Sequence, residues 1–333
     1  MAGTERSAAQ GAQAAQGERT AVMVGRGVEK SFQLKGRRVL RAVDDVDVTV
    51  YEDEVLGLVG ESGCGKSTLG RTLLKLHEPT GGTIEFCGQD ITHLKRREMR
   101  PIRKDMQMVF QDPFASLNPR MSIFASVRAP LDAFDIGTEE ERDERVRALL
   151  DYVGLGEHHI YKYPHELSGG QRQRVVIARA VVSDPKFVVC DEAVSALDVS
   201  IRAQVLNLMK DLQLEKHLSY LFISHDMSVI RFICDRIMVM YLGQVVEVAA
   251  KDDLFGNALH PYTQALMSAI PVPDVDHKVE KIVLTGDVPS PIDPPAGCRF
   301  HTRCPFATAE CASREPAPVE VEPGHTVSCL KFA

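Results

Sequence analysis

From residue 22 to residue 50 apolar and polar positions alternate, with Val43, Val46, Val48 and Val50 among the apolar ones. A period of two predicts strands with one buried face, in an antiparallel sheet at an edge of the molecule. Val55-Leu56-Gly57-Leu58-Val59 is a short apolar run that ends in a glycine-rich loop, which predicts a buried strand feeding a helix that starts near Lys66. Phe187–Cys190 and Tyr220–Ile223 are two further apolar runs, each after a segment predicted as helix. Strands alternating with helices imply an α/β fold with a largely parallel sheet. The stretch from about 112 to 165 is rich in helix formers and predicts a helical subdomain. Within it, Glu139-Glu140-Glu141-Arg142-Asp143-Glu144-Arg145 mixes signs at helical spacing, as on a solvated helix face. After residue 270 proline and glycine become dense, which predicts an irregular tail over 271–333 held by something other than a large core. No internal repeat is visible, so the unit spanning 22–270 occurs once.

Composition narrows the class. The 333 residues are 44% hydrophobic and 26% charged, the proportions of a soluble globular protein. No apolar run reaches the ~18 residues needed to cross a bilayer. If the protein serves a membrane process, other chains supply the pore. Residues 1–21 are rich in Ala, Gly and Gln and lack the apolar centre of a secretory signal. They read as a disordered tail, too poor in apolar side chains to offset the entropy of ordering. A net charge of −7 argues against a broad nucleic-acid surface. The basic stretch Lys95-Arg96-Arg97 to Arg103-Lys104 reads as solvated surface.

Gly60-Glu61-Ser62-Gly63-Cys64-Gly65-Lys66-Ser67-Thr68 fits the phosphate-binding loop G-x-x-x-x-G-K-[ST] between a predicted strand and a predicted helix. Its glycines let successive N–H groups curl round an anion, and the helix N-terminus adds partial positive charge. Lys66 brings a full charge to the β- and γ-phosphates, and the Ser67 hydroxyl is a ligand for Mg²⁺. Asp191 and Glu192 close the strand Phe187–Cys190. Beside a phosphate loop, Asp191 is placed to hold Mg²⁺ through water, and Glu192 to polarise an attacking water.

Leu167-Ser168-Gly169-Gly170-Gln171-Arg172-Gln173-Arg174 precedes a predicted helix over Gln171–Val182, and its amides and hydroxyl make a second anion site. This segment resembles the signature sequence of ATP-binding cassette (ABC) ATPases. The resemblance implies a RecA-like core with an antiparallel β subdomain and an α-helical subdomain. It also implies that the signature of one subunit closes on ATP held by the phosphate loop of another. The family's other motifs match in order. Gln111, in Phe110-Gln111-Asp112-Pro113, looks like the glutamine that contacts Mg²⁺ and the water and faces the permease. Asp198, in Ser195-Ala196-Leu197-Asp198, looks like the residue that crosses the dimer interface. His225, in Ile223-Ser224-His225-Asp226, looks like the switch histidine at the γ-phosphate. Phe32 is the candidate for stacking on adenine, although a Phe in an apolar-patterned segment is equally a core residue. Ala193 departs from the family, which commonly has proline after the Asp-Glu pair. These carry-overs imply an ATPase in which Glu192, His225 and Gln111 are catalytic.

Two further segments resemble the oligopeptide and dipeptide importers of this family. One is Asp112-Pro113-Phe114-Ala115-Ser116-Leu117-Asn118-Pro119-Arg120-Met121. The other is the tail, from His260-Pro261-Tyr262-Thr263-Gln264-Ala265-Leu266 through Gly286–Pro291 to Cys298-Arg299-Phe300-His301-Thr302-Arg303-Cys304-Pro305. The implied protein sits at the cytoplasmic face of a membrane and works with two permease subunits. It pairs with a second ABC ATPase, a sister chain or itself, and is served by an extracytoplasmic substrate-binding protein. Some members carry nickel complexes or other small solutes instead. A nucleic-acid-associated ABC ATPase is the rival of a different class, but such proteins usually carry long insertions before the signature.

Of eight cysteines, Cys298, Cys304, Cys311 and Cys329 lie in the tail, spaced C-x₅-C-x₆-C-x₁₇-C. This spacing matches neither close zinc pairs nor the common ferredoxin runs, and by itself leaves zinc, an iron–sulfur cluster and free thiols open. The resemblance to importers with such a tail implies a [4Fe–4S] cluster in a structural role.

Overall fold

A computed structural model describes residues 19–36, 38–270, 282–284 and 286–333. Most of the expected N-terminal tail and the stretch 271–281 lie outside the described residues.

The expected alternation over residues 22–50 becomes two long strands, β1 (Ala21–Gln33) and β2 (Val39–Tyr51), paired antiparallel. Their inward residues Val22, Met23, Val28, Val43, Val46, Val48 and Val50 are buried. After β3 (Val55–Val59), strands β4 (Gly81–Phe86) and β5 (Gln89–Asp90) complete a four-stranded sheet in the order β2-β1-β4-β5.

The second sheet has eight strands. Strand β3 pairs parallel with both β8 (Ser219–Ile223) and β9 (Arg236–Tyr241). Strand β7 (Phe187–Asp191) lies parallel between β8 and β6 (Met106–Val109). All five residues of β3, β7 and β8 are buried. That is why these runs show no alternation: a parallel strand covered on both faces is apolar throughout. Five parallel strands thus deliver their carboxyl ends to one edge, where α/β sheets bind ligands. The phosphate loop follows β3, Gln111 follows β6, Glu192 follows β7 and His225 follows β8.

Helices Ile123–Phe134, Glu139–Tyr152 and Glu157–Ile160 fall within the stretch expected to be helical. Ser122 and Thr138 cap the first two, accepting from the amides of Ala125 and Glu141. Val127, Leu131, Val146, Leu149 and Leu150 join these helices to the core that includes the helix Gly169–Val181.

The tail departs from its expected irregularity. Strand β10 (Gln244–Ala250) pairs with β9, and the tail strands β11 (Val319–Glu322) and β12 (His325–Val327) extend the same sheet through β10. The junction is buried. The Glu247 carboxylate receives the amides of Leu259 at 2.7 Å and His260 at 3.0 Å, and lies 2.8 Å from His325 Nε2. Proline density hid this pairing because the hairpin is short and its partner strand lies about eighty residues earlier, with Glu247 opposite Val327. No helix among the described residues is long and apolar enough to cross a membrane.

Candidate active site

Gly60 and Gly65 show why the phosphate loop needs glycine. Gly60 adopts φ +151 and a Cβ there would stand 2.1 Å from the Met240 carbonyl oxygen. Gly65 adopts φ +106 and a Cβ would stand 2.0 Å from the Ala42 carbonyl oxygen. Both contacts are with backbone, so neither can be relieved by a side-chain rotation. The helix Lys66–Leu73 starts directly behind Gly65. Lys66 is buried, and its Nζ donates to the carbonyls of Gly60 at 2.7 Å and Glu61 at 2.9 Å. Cys64 is buried beneath the loop, and burial pushes its thiol up. Ser62, Gly63 and Thr68 complete the loop and the first helical turn.

The Ser67 hydroxyl donates to Asp191 Oδ1 at 2.6 Å. The other carboxylate oxygen receives Arg71 Nη2 at 3.3 Å. Arg71 lies one helical turn beyond Ser67, on the same face, and sequence reasoning missed it. A hydroxyl and a carboxylate are hard oxygen donors, the set that holds Mg²⁺ together with phosphate oxygens.

The three expected catalytic side chains meet. Gln111 Nε2 donates to Glu192 Oε2 at 2.8 Å, and His225 Nδ1 lies 3.2 Å from Glu192 Oε1. Glu192 holds φ +47, a left-handed conformation unusual for a residue with a side chain. Its amide donates to the Ile223 carbonyl at 3.0 Å, which ties the end of β7 to the end of β8. Where the family commonly has proline, Ala193 leaves the turn to Ser195. The Ser195 amide and hydroxyl both donate to the Glu192 carbonyl, at 3.1 and 3.0 Å. A strained position held from both sides is typical of functional sites.

Ser168, Gly169, Gly170 and Gln171 open the helix Gly169–Val181, with Ser168 exposed and Gly170 buried. Ser168 Oγ accepts from the Gln171 amide at 3.3 Å, and Gln171 Oε1 accepts from the Ser168 amide at 3.0 Å. Gly170 is closely packed: a Cβ would lie 2.4 Å from Ile201 Cγ2. Asp198 is exposed at the start of the helix Val199–Lys216, without a side-chain capping bond. None of the described hydrogen bonds joins the signature segment to this chain's own phosphate loop. Phe32 is half-buried on β1, edge-on to His77 at 5.6 Å, with Lys30 Nζ 4.9 Å from its ring centre.

The comparisons with known proteins agree with this geometry. The family described as "ABC transporter" matches residues 43–195, and "Oligopeptide/dipeptide transporter, C-terminal region" matches residues 246–311. The Oligopeptide transport ATP-binding protein AppF of Bacillus subtilis is 51% identical over 92% of this chain and 96% of its own length. The chain belongs to the ABC transporter family. Within that family, the Oligopeptide transport ATP-binding protein OppF of Escherichia coli is 51% identical over 88% of this chain and 89% of its own length. Among solved structures, the dimeric bacterial ABC transporter cassette MJ0796 is 30% identical with a TM-score of 0.64, covering 69% of this chain and 98% of its own. The ABC cassette fold expected from the motifs is therefore the fold observed.

Neither the [4Fe–4S] cluster expected on Cys298, Cys304, Cys311 and Cys329 nor the alternative zinc finds support in the structure. Among the described residues, no three or more His, Cys, Asp or Glu side chains form a group able to hold a metal ion. All four thiols are free and half-buried. Burial first, with the neighbouring Cys311, Cys329 and Cys304 adding to it, pushes Cys298 up to about 11.

Sequence reasoning also missed two tail-side contacts on the phosphate loop. Tyr262 Oη lies 2.8 Å from the Glu61 amide and accepts its proton. Arg303 clasps the Glu61 carboxylate, with Nη1 to Oε2 at 2.8 Å and Nη2 to Oε1 at 3.1 Å. No local pattern reports a partner 242 residues away.

Proposed function

We propose that this chain is the ATP-hydrolysing subunit of an importer for oligopeptides or dipeptides. The observation that carries the catalytic part is the convergence of Gln111 and His225 on the Glu192 carboxylate, next to a phosphate loop. The cargo rests on the likeness to relatives named for peptide transport over nearly their full length.

The chemistry follows from what the residues can do. The loop amides and Lys66 hold the triphosphate. Ser67 and Asp191, with Gln111, would hold Mg²⁺, which would neutralise charge on the phosphates. Glu192 takes the proton of the attacking water, and Gln111 and His225 fix its two oxygens in place. His225 then turns towards the γ-phosphate. Phosphoryl transfer needs little more than such positioning and electrostatic stabilisation. Phe32 takes the adenine. Ser168, the amides of Gly169 and Gly170, and Gln171 close on the nucleotide of a second cassette, with Asp198 at that interface. This division assigns residues 22–270 to the ATPase unit and 271–333 to the extension.

Two permease subunits carry the peptide, an extracytoplasmic binding protein delivers it, and the chain docks from the cytoplasmic side. A [4Fe–4S] cluster on the tail is the finer part of the reading. It is supported by the likeness of the tail to the oligopeptide/dipeptide transporter C-terminal region, whose match spans Cys298, Cys304 and Cys311. Iron and sulfide determination after anaerobic purification decides it, and their absence ends it.

The functional reading is tested by isolating the chain from its native membranes in mild detergent. Co-purified permeases and ATP turnover stimulated by peptide-loaded binding protein are expected. Stimulation by a nickel complex instead of peptide would change the cargo, and nucleic acid in place of permeases would overturn the reading.

A further inference from the structure

Glu61, the second residue of the phosphate loop, is held at all three of its polar positions. Its amide donates to Tyr262 Oη at 2.8 Å, its carbonyl accepts from Lys66 Nζ at 2.9 Å, and its carboxylate is gripped by Arg303 at 2.8 and 3.1 Å. Tyr262 lies just ahead of the extension, on the helix Pro261–Ser268, and Arg303 lies within it. Behind them Phe300 is 1% exposed and packs against Tyr241 at 5.2 Å and Tyr262 at 5.4 Å, ring centre to ring centre. Arg299 binds the Leu242 carbonyl and the Asp44 carboxylate. The Cys298–Cys304 segment is therefore tied to the phosphate loop by Arg303, and to Asp44 and Leu242 beside it by Arg299, with Phe300 as an aromatic plug. Neither arginine is spent on solvent: each is 8% exposed.

A contact this close to Lys66 has consequences for nucleotide. The loop binds phosphate only when its amides converge, and Glu61 sets the loop's opening bend. We propose that Arg303 is a positioning residue for ATP binding, acting through Glu61, and that the cysteine-bearing extension and the nucleotide site are thereby thermodynamically coupled. The proposal rests on the ATPase reading of the phosphate loop. Arg303 touches no substrate, so its loss weakens binding and leaves the chemical step alone. Linkage makes the effect reciprocal: nucleotide that favours the clasped loop also steadies the Cys298–Cys304 segment.

The test uses the full-length protein and ATP with Mg²⁺. Arg303→Met is the gentler disruption, because Glu61 can rehydrate, its side chain being 27% exposed, whereas removing Glu61 strands an arginine side chain that is 7% exposed. Arg303→Met is expected to weaken ATP binding about tenfold, within the usual span of coupling between sites. It raises KM with kcat at saturation unchanged. Arg303→Lys is expected to recover part of the loss, since an ammonium keeps the charge but not the two-pronged geometry. In the wild-type protein, hydrogen–deuterium exchange over 298–304 is expected to slow when ATP is added. This measurement stands even if Arg303→Met fails to fold.

Unchanged ATP affinity in folded Arg303→Met, or exchange over 298–304 indifferent to ATP in the wild type, overturns the proposal. Lys66→Ala separates the two readings. If it abolishes ATP binding while Arg303→Met binds normally, only the coupling fails. If Lys66→Ala binds ATP as the wild type does, the phosphate-site reading fails and the coupling with it.

Discussion

Gln111 donates to Glu192 at 2.8 Å although 81 residues separate them in the chain. The bond exists because β6 and β7 run parallel as neighbours and release both side chains at the same edge. His225, released from the next strand, reaches the other oxygen of the same carboxylate. One carboxylate is thus oriented from two sides, the arrangement that the proposed role of Glu192 as a base requires.

Asp191→Asn keeps the shape of the side chain that meets Ser67 and Arg71 but removes its charge. The concentration of Mg²⁺ needed for half-maximal nucleotide binding is expected to rise by at least about tenfold. A magnesium titration of ATP binding reads this directly. An unchanged midpoint would remove Asp191 from the metal site.

Tyr262→Phe leaves the Glu61 amide without its acceptor. The expected loss is about 1 kcal/mol of stability, seen as a lower urea midpoint with an unchanged slope. A midpoint equal to that of the wild type would mean that water replaces the hydroxyl at no cost.

His260 couples stability to pH. It is buried, and burial lowers its pKa from the ordinary 6.5 to about 3. The unfolded chain therefore binds one more proton than the folded chain between those values. Stability is full above about pH 6.5 and falls as pH drops towards 3, by about 1.4 kcal/mol per unit at the steepest. His260 Nδ1 also accepts the Tyr262 amide at 3.1 Å, capping the helix that carries Tyr262. Asparagine caps as well but does not titrate. Urea unfolding of His260→Asn at pH 7.5 and 5.5 is expected to show a smaller drop than the wild type, and an equal drop would assign the acid sensitivity elsewhere.

Gly170→Ala places a methyl 2.4 Å from Ile201 Cγ2, between the signature helix and the helix that follows Asp198. Overpacking of this kind costs about 1–3 kcal/mol, measurable by chemical denaturation. Gly169, with nothing near its Cβ position, is the control: Gly169→Ala is expected to leave the midpoint nearly unchanged.

The candidate nucleotide site was legible because it is local. Gly60–Thr68, Asp191-Glu192 and Ser168–Gln171 are short runs whose residue types are dictated by phosphate chemistry or by a helix start. The central strands were legible for a related reason: burial on both faces leaves an apolar run that nothing else explains. What stayed hidden is long-range. Arg303 on Glu61, Glu247 with His325, and the addition of β12 to β10 each join segments far apart in the chain, and proline density in the tail concealed a strand pair. Arg71 was within reach, since its position one turn after Ser67 faces Asp191. For the cysteines, the sequence shows four thiols crowded into the tail but not whether they hold a metal.

The most direct test of the central claim is ATP turnover and ATP binding measured side by side on the wild-type chain and on Glu192→Gln. The amide oxygen can still accept from Gln111, but the side chain cannot take a proton. Binding is expected to be retained, with dimers that persist in ATP, while phosphate release falls by about 10²–10⁴-fold. A Glu192→Gln protein that hydrolyses ATP at the wild-type rate would contradict the assignment of this site.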